Sequence, residues 1–181
     1  MKQLTIIAAI FLGLPFASTA QVHKHSLGLR MNSHFPYYRP SLSYQFGLNN
    51  KNRLDFNITT RGANTDAFSF RTIDASIYYE HVMNIKGGLN WFVGAGVRYQ
   101  YFKSNSPTQS SLYQNLAIGP TIGLEYDFNH KNVPLLLSLD YRPSVGYGFG
   151  SHGTNFQLRQ NLGLSLHYTF KDKKKGMIKD L

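Results

Sequence analysis

The chain has 181 residues, a formal net charge of +10, 16 glycines, 12 tyrosines, 13 phenylalanines and no cysteine. That length suits one domain. The missing cysteine excludes disulfides and attachment of a lipid to an N-terminal cysteine, so stability has to come from packing and hydrogen bonding. Abundant glycine with many aromatics favours antiparallel β-structure over helix, and no amphipathic 3.6-residue stripe of useful length appears.

The first twenty residues have the grammar of an export leader. Lys2 provides a positive start, residues 4–17 an apolar core, and Ser18, Thr19 and Ala20 the small residues a signal peptidase needs. Cleavage after Ala20 is expected, leaving a mature chain that starts at Gln21. The apolar run is too short for a membrane-crossing helix, and no other segment approaches the roughly 20 apolar residues one requires. The expected organisation is a leader at 1–20, one β-domain at 21–170 and a Lys-rich tail at 171–181.

Eight strands are predicted along the mature chain, at residues 26–32, 41–48, 53–61, 72–81, 89–101, 115–128, 135–147 and 159–170. Connections after even-numbered strands are short and turn-like: 49–52 (NNKN), 83–88 (MNIKGG) and 129–134 (NHKNVP). Those after odd-numbered strands (33–40, 62–71, 102–114 and 148–157) are longer, and read as loops or strand extensions. Short turns on one side and long connections on the other are the asymmetry of outer-membrane barrels. Both chain ends are then expected on the periplasmic side.

Alternation along the strands assigns their faces. One parity is greasy, as in Leu42, Tyr44, Phe46 and Leu48, or Trp91, Val93, Ala95 and Val97. The other is small or polar. It carries six of the nine acidic residues (Asp55, Asp74, Glu80, Glu125, Asp127 and Asp140) with Arg30, Arg53, Arg61, Arg98, Arg142 and Arg159. Lysine avoids the strands; Lys51, Lys86 and Lys131 fall in the short turns. A soluble lipocalin-like barrel would wet the polar face, and a wet strand face ordinarily carries Lys and Glu rather than Gly with Arg and Asp. The inverse arrangement fits better, with the greasy face toward lipid and Arg–carboxylate forks in a narrow lumen. Trp91, Tyr79, Tyr126, Phe128, Tyr168 and Phe170 are expected in a periplasmic aromatic belt, and Tyr99, Tyr101, Tyr147 and Phe149 in an outer one. The fold class expected is an all-β, eight-stranded, antiparallel, up-and-down transmembrane barrel.

These residues carry a family resemblance. The chain resembles small bacterial outer-membrane β-barrel proteins of the OmpA-transmembrane-domain and OmpX type over nearly its whole mature length, by pattern more than identity. The most specific element lies in residues 161–170 (NLGLSLHYTF), where Asn161, Gly163, Leu166 and Tyr168, ending on Phe170, resemble the signal by which the barrel-assembly machinery recognises a client's last strand. Residues 87–96 (GGLNWFVGAG) and 137–143 (LSLDYRP) look like stretches common in the group. The resemblance implies location in the outer membrane of a Gram-negative cell, with outer-membrane lipid, lipopolysaccharide and the assembly machinery as partners. The eleven residues after Phe170 depart from members that stop at the terminal aromatic.

A barrel of eight strands has an interior just wide enough for side chains to fill it. Arg30, Asp55, Asp74, Glu80, Arg98, Glu125, Asp127, Asp140 and Arg142 are therefore expected to form a polar network that closes the lumen, with an envelope-structural or surface-interaction role for the protein. The alternative is an enzyme: His152 and Thr154, in HGTN, loosely resemble the His-x-Ser-Asn motif of lipid A deacylases, in which His activates a hydroxyl. Thr stands where Ser would, and no acidic residue lies between Asp140 and Asp172. No catalytic residue, cofactor or metal site is therefore expected, and His23 and His25 lack the accompanying ligands of a metal centre. The lysines crowd the tail rather than a folded face, so nucleic acid is not an expected partner. Phe35, Tyr37, Tyr38, Arg39, Phe68, Phe70 and Tyr113 make the outer connections the expected place for a surface ligand.

Overall fold

The computed structural model describes residues 22–34, 37–65, 68–106, 110–151 and 153–170. The leader, with its boundary at Ala20, the Lys-rich tail, Phe35 and His152 lie outside the described residues. Ten strand segments form one antiparallel sheet: β1 (His25–His34), β2 (Tyr37–Gly47), β3 (Asn52–Thr65), β4 (Phe68–Lys86), β5 (Leu89–Asn105), β6 (Ser110–Asp127), β7 (Leu135–Tyr141), β8 (Ser144–Gly150), β9 (Gly153–Arg159) and β10 (Leu162–Thr169). A single 3-10 turn at Phe128–Lys131 links β6 to β7. β1 pairs with β10 from Ser26↔Thr169 to Ser33↔Leu162, and this pairing closes the sheet on itself.

Ten segments make eight staves. Ile122 pairs with Tyr141 in β7 and Ile118 with Val145 in β8, so four residues separate the two pairs on each strand and the register runs unchanged through the break. The same holds between Leu162↔Tyr141 and Leu158↔Val145. β7 and β8 are thus halves of the seventh stave, and β9 and β10 halves of the eighth. The register sets Pro120 opposite Pro143, where neither residue has an N–H to donate and the ladder is interrupted. The backbone amide of Arg142 still donates to the Asn161 carbonyl at 2.8 Å, holding the two staves together beside the gap.

The faces are inverted relative to a soluble barrel. Leu29, Ile118, Leu158 and Leu164 point outward and are exposed, while Ser43, Asp55, Glu80 and His167 are buried inside. Tyr79, Tyr168 and Phe170 stand exposed near the short-turn end, and Tyr99, Tyr147, Phe149 and Phe156 toward the other. Such a molecule is stable only where the outside medium is itself apolar.

The long connections are mostly strand. β3 and β4 remain paired to Thr65↔Phe68, and β5 and β6 to Asn105↔Ser110, so the expected connections at 62–71 and 102–114 are largely extensions of the barrel strands. Buried and exposed positions alternate in β3 up to Thr59, after which every residue to Thr65 is exposed. There the ribbon has left the wall. β2 and β3, by contrast, pair only from Gly47↔Arg53 to Leu42↔Ile58, and β9 pairs only with β8. The outer rim is therefore not closed: β3, β4, β5, β6, β8 and β9 stay paired in turn, while β2 parts from β3 beyond Leu42↔Ile58 and β9 has no partner on its other side among the described residues.

Candidate functional site: the lumen and its outer mouth

Inward positions stack in layers from the short-turn end upward. At the floor, His23 Nε2 lies 2.8 Å from Asp127 Oδ2, Asn129 Nδ2 donates to Asp127 Oδ1 at 2.7 Å, and Asn129 also bonds the Thr169 hydroxyl. These contacts tie the segment before β1 to the turn after β6 and to the last strand. His25 meets the Tyr44 hydroxyl at 2.8 Å instead. Above the floor sits a small apolar layer of Val82 and Phe92, with Val22 packed against it.

The next two layers are ionic. Arg53 donates from Nε to Glu80 at 2.8 Å and from Nη1 to Glu125 at 2.6 Å, with its guanidinium 4.8 Å from the Phe92 ring centre. Asn90 donates to the other Glu125 oxygen at 3.1 Å. Arg142 donates to Asp55 at 2.6 Å and Glu80 at 3.2 Å, its Nε lies 2.8 Å from Asp140, and its guanidinium stands 4.4 Å over Tyr78. Arg30 completes the cluster, donating to Asp140 at 2.5 Å and to Asn161 at 3.5 Å. Asp55 also accepts from Ser43 at 2.9 Å and Asn57 at 3.0 Å, and Ser43 bonds His167 at 2.8 Å. Every charge in these layers has an opposite partner, the condition under which buried ions are tolerated. Toward the mouth, Arg98 forks onto Asp74, with Nε 2.9 and 3.0 Å from the two carboxylate oxygens.

Of the nine residues expected in one network, the structure joins Arg30, Asp55, Glu80, Glu125, Asp140 and Arg142 through shared partners. Asp74 and Arg98 form a separate pair, and Asp127 belongs to the floor with His23. Arg53 completes the connected group: it bridges Glu80 and Glu125, and its place on the polar parity beside Asp55 was the available signal. Tyr78 and Phe92 are inward aromatics that alternation alone did not single out. Their signal is inward glycine on a neighbouring strand, since a Cβ on Gly123 would lie 2.4 Å from Phe92 Cζ. Likewise a Cβ on Gly163 would lie 2.0 Å from Arg30 Nη2, so the glycine makes room for the arginine. Of the remaining terminal-strand residues, Asn161 faces in, while Leu166, Tyr168 and Phe170 face out.

The outer mouth has a different character. Arg39, Arg61, Phe70, Thr72, Gln100, Phe102, Tyr113 and Arg159 line a cavity of about 360 Å³. Arg159 is held by neutral acceptors, Gln157 at 3.0 Å and Gln100. Phe68 stands outside, 5.8 Å from Phe70. Thr154 lies exposed on the β8–β9 ribbon opposite Phe149, and no carboxylate hydrogen bond reaches it among the described residues. No group of three or more His, Asp or Glu side chains able to hold a metal occurs among the described residues.

No family model matches the chain, and no curated protein matches it either. Solved structures do. Ail, the attachment invasion locus protein of Yersinia pestis, is 17% identical, with 81% of this chain and 96% of that one covered and a TM-score of 0.51. The same figures hold for Ail in complex with the heparin analogue sucrose octasulfate. Neisserial surface protein A is 14% identical, covers 81% of this chain and 94% of its own, and gives a TM-score of 0.45. The chain has the fold of the eight-stranded outer-membrane barrels. Within that fold its greasy face is the lipid face, and the lumen charges are interior.

Proposed function

We propose that the protein is a non-enzymatic barrel of the bacterial outer membrane, exported through the 1–20 leader, whose lumen is closed by paired charges and whose outer ribbons interact at the cell surface. The observation that carries this reading is the lumen itself. Around the Asp74–Arg98 pair, against Arg30, Arg142 and Tyr78, the cavity amounts to about 30 Å³, room for one or two waters. Side chains that each satisfy an opposite charge leave no open path, and an envelope-structural role needs none. Outer-membrane lipid and lipopolysaccharide surround the apolar band, and residues 161–170 present the last strand to the assembly machinery.

The ribbons supply the surface role. The outer parts of β3 and β9 lose the buried–exposed alternation of the wall and are exposed on both faces. Proteolysis of intact cells tests this reading: cleavage is expected within 60–72 or 103–112 while the rest of the chain stays protected. Protection of those segments in intact cells with cleavage of the short turns would reverse the orientation and overturn it.

A further inference from the structure

Above the Asp74–Arg98 pair the charge balance changes. Below and including that pair, Arg30, Arg53, Arg98 and Arg142 face Asp55, Asp74, Glu80, Glu125 and Asp140, five carboxylates to four guanidiniums. In the cavity beyond it are three guanidiniums and no carboxylate among the described residues. Arg39 has a buried Nε with no hydrogen-bond partner, and no described ion pair engages Arg61. Asp74 is the strongest charge acting on Arg39, with Arg61 and Arg98 opposing it, and Asp74 also acts on Arg159 against Arg98 and Arg39. Since Asp74 is already forked by Arg98, one carboxylate faces three mouth guanidiniums and positive charge is in excess there.

The seam beside it is open. Register between β2 and β3 stops at Leu42↔Ile58. Continued by three residues, it would set Arg39 opposite Arg61, both on the inward parity. Like charges directly opposite across a ladder are destabilising, and Pro40 has no N–H to contribute. The two strands part where pairing would force the arginines together. Arg39 and Arg61, one on each side of this seam, both line the cavity of about 360 Å³, together with Phe70, Phe102 and Tyr113.

We propose that this cavity is a binding site for a phosphorylated or sulfated sugar. The anionic group sits between Arg39 and Arg61, Arg159 makes a further contact, and the sugar ring lies against the aromatic wall. Guanidinium forks suit phosphate and sulfate oxygens, and aromatic faces suit the apolar face of a sugar. An anion held between Arg39 and Arg61 removes their repulsion, so binding extends the β2–β3 ladder outward. The inference rests on the outward orientation argued above.

The test uses the refolded barrel in detergent free of lipopolysaccharide, titrated with glucosamine 6-phosphate and glucosamine 6-sulfate against neutral glucosamine. Two readouts are followed: calorimetric binding, and amide hydrogen exchange of residues 39–41 and 59–63. Either anionic sugar is expected to bind at least tenfold more tightly than glucosamine and to slow exchange at those amides. Arg39→Gln and Arg61→Gln are each expected to lower affinity about tenfold or more. Arg61→Gln is also expected to slow exchange across the seam with no sugar present, which a folding defect would not do. A second arm compares nanodiscs with and without lipopolysaccharide; slowing only in the former assigns the anionic sugar to a lipid head group rather than a soluble glycan. Equal binding of charged and neutral sugars, or an unchanged seam in both arms, overturns the proposal. If proteolysis has placed the ribbons outside while neither arm responds, only this inference falls.

Discussion

Replacing Arg142 by Met removes the cation that serves the most lumen carboxylates. The side chain of Arg142 is 5% exposed, and it lies within 3.2 Å of Asp55, Glu80 and Asp140, themselves 1% exposed or less. The aliphatic replacement fills most of the volume and keeps contact with Tyr78, so the loss is chiefly electrostatic. Five carboxylates would then face three arginines, and Asp55 would keep only Ser43 and Asn57 as described donors. Breaking a buried ion pair from one side costs about 3–5 kcal/mol. The measurement is urea unfolding in detergent micelles followed by tryptophan fluorescence, with heat-modifiable gel migration as a check on folding. Adding Asp55→Asn to Arg142→Met should recover part of the loss, with a coupling of roughly 1–3 kcal/mol for groups in direct contact. An Arg142→Met barrel less than about 1 kcal/mol weaker than the parent would refute the account of paired lumen charges, because a solvated lumen screens such pairs to that level.

Three other outcomes are expected. Gly163→Ala places a methyl against the Arg30 guanidinium, and the arginine has to leave Asp140 to accommodate it; a loss of about 1–3 kcal/mol is expected in the same unfolding assay. Leu164→Arg puts a charge on the lipid face and should cost up to about 2–4 kcal/mol, depending on its depth in the bilayer, whereas a barrel whose greasy face was interior would lose its core packing and not refold at all. In planar bilayers the parent protein should show no steady conductance, and long-lived open steps from it would contradict a lumen closed by Arg53, Arg142 and their carboxylates.

Much of the fold was legible because barrel strands make a local and repetitive statement. Leu162, Leu164, Leu166, Tyr168 and Phe170 alternate with Asn161, Gly163, Ser165, His167 and Thr169, and only one of those faces can meet lipid. The short turns announced themselves by Asn, Gly and Pro. The extents of the outer strands were less legible, since residues 60–65 lack alternation and contain the turn-formers Gly62 and Asn64, and cross-strand pairing rather than local preference keeps them extended. The break of the last two staves was hidden for a related reason. Pro120 and Pro143 are each acceptable in a strand, and only their meeting across the ladder interrupts it.

Composition and parity by themselves determined an inside-out barrel with arginines and carboxylates interior, because a period of two assigns every side chain to a face; lysine does not wholly avoid the strands, since Lys86 ends β4 and Lys103 lies in the outer part of β5. Which charges meet is another matter. Arg53 reaches Glu125 across 72 residues, and Arg142 reaches Asp55 across 87; such partners follow from closure and stagger of the sheet, which no single strand encodes. Only the tertiary structure separated a lower lumen of paired charges from a mouth with an excess of arginine, since height along the barrel axis depends on how all eight staves are offset from one another.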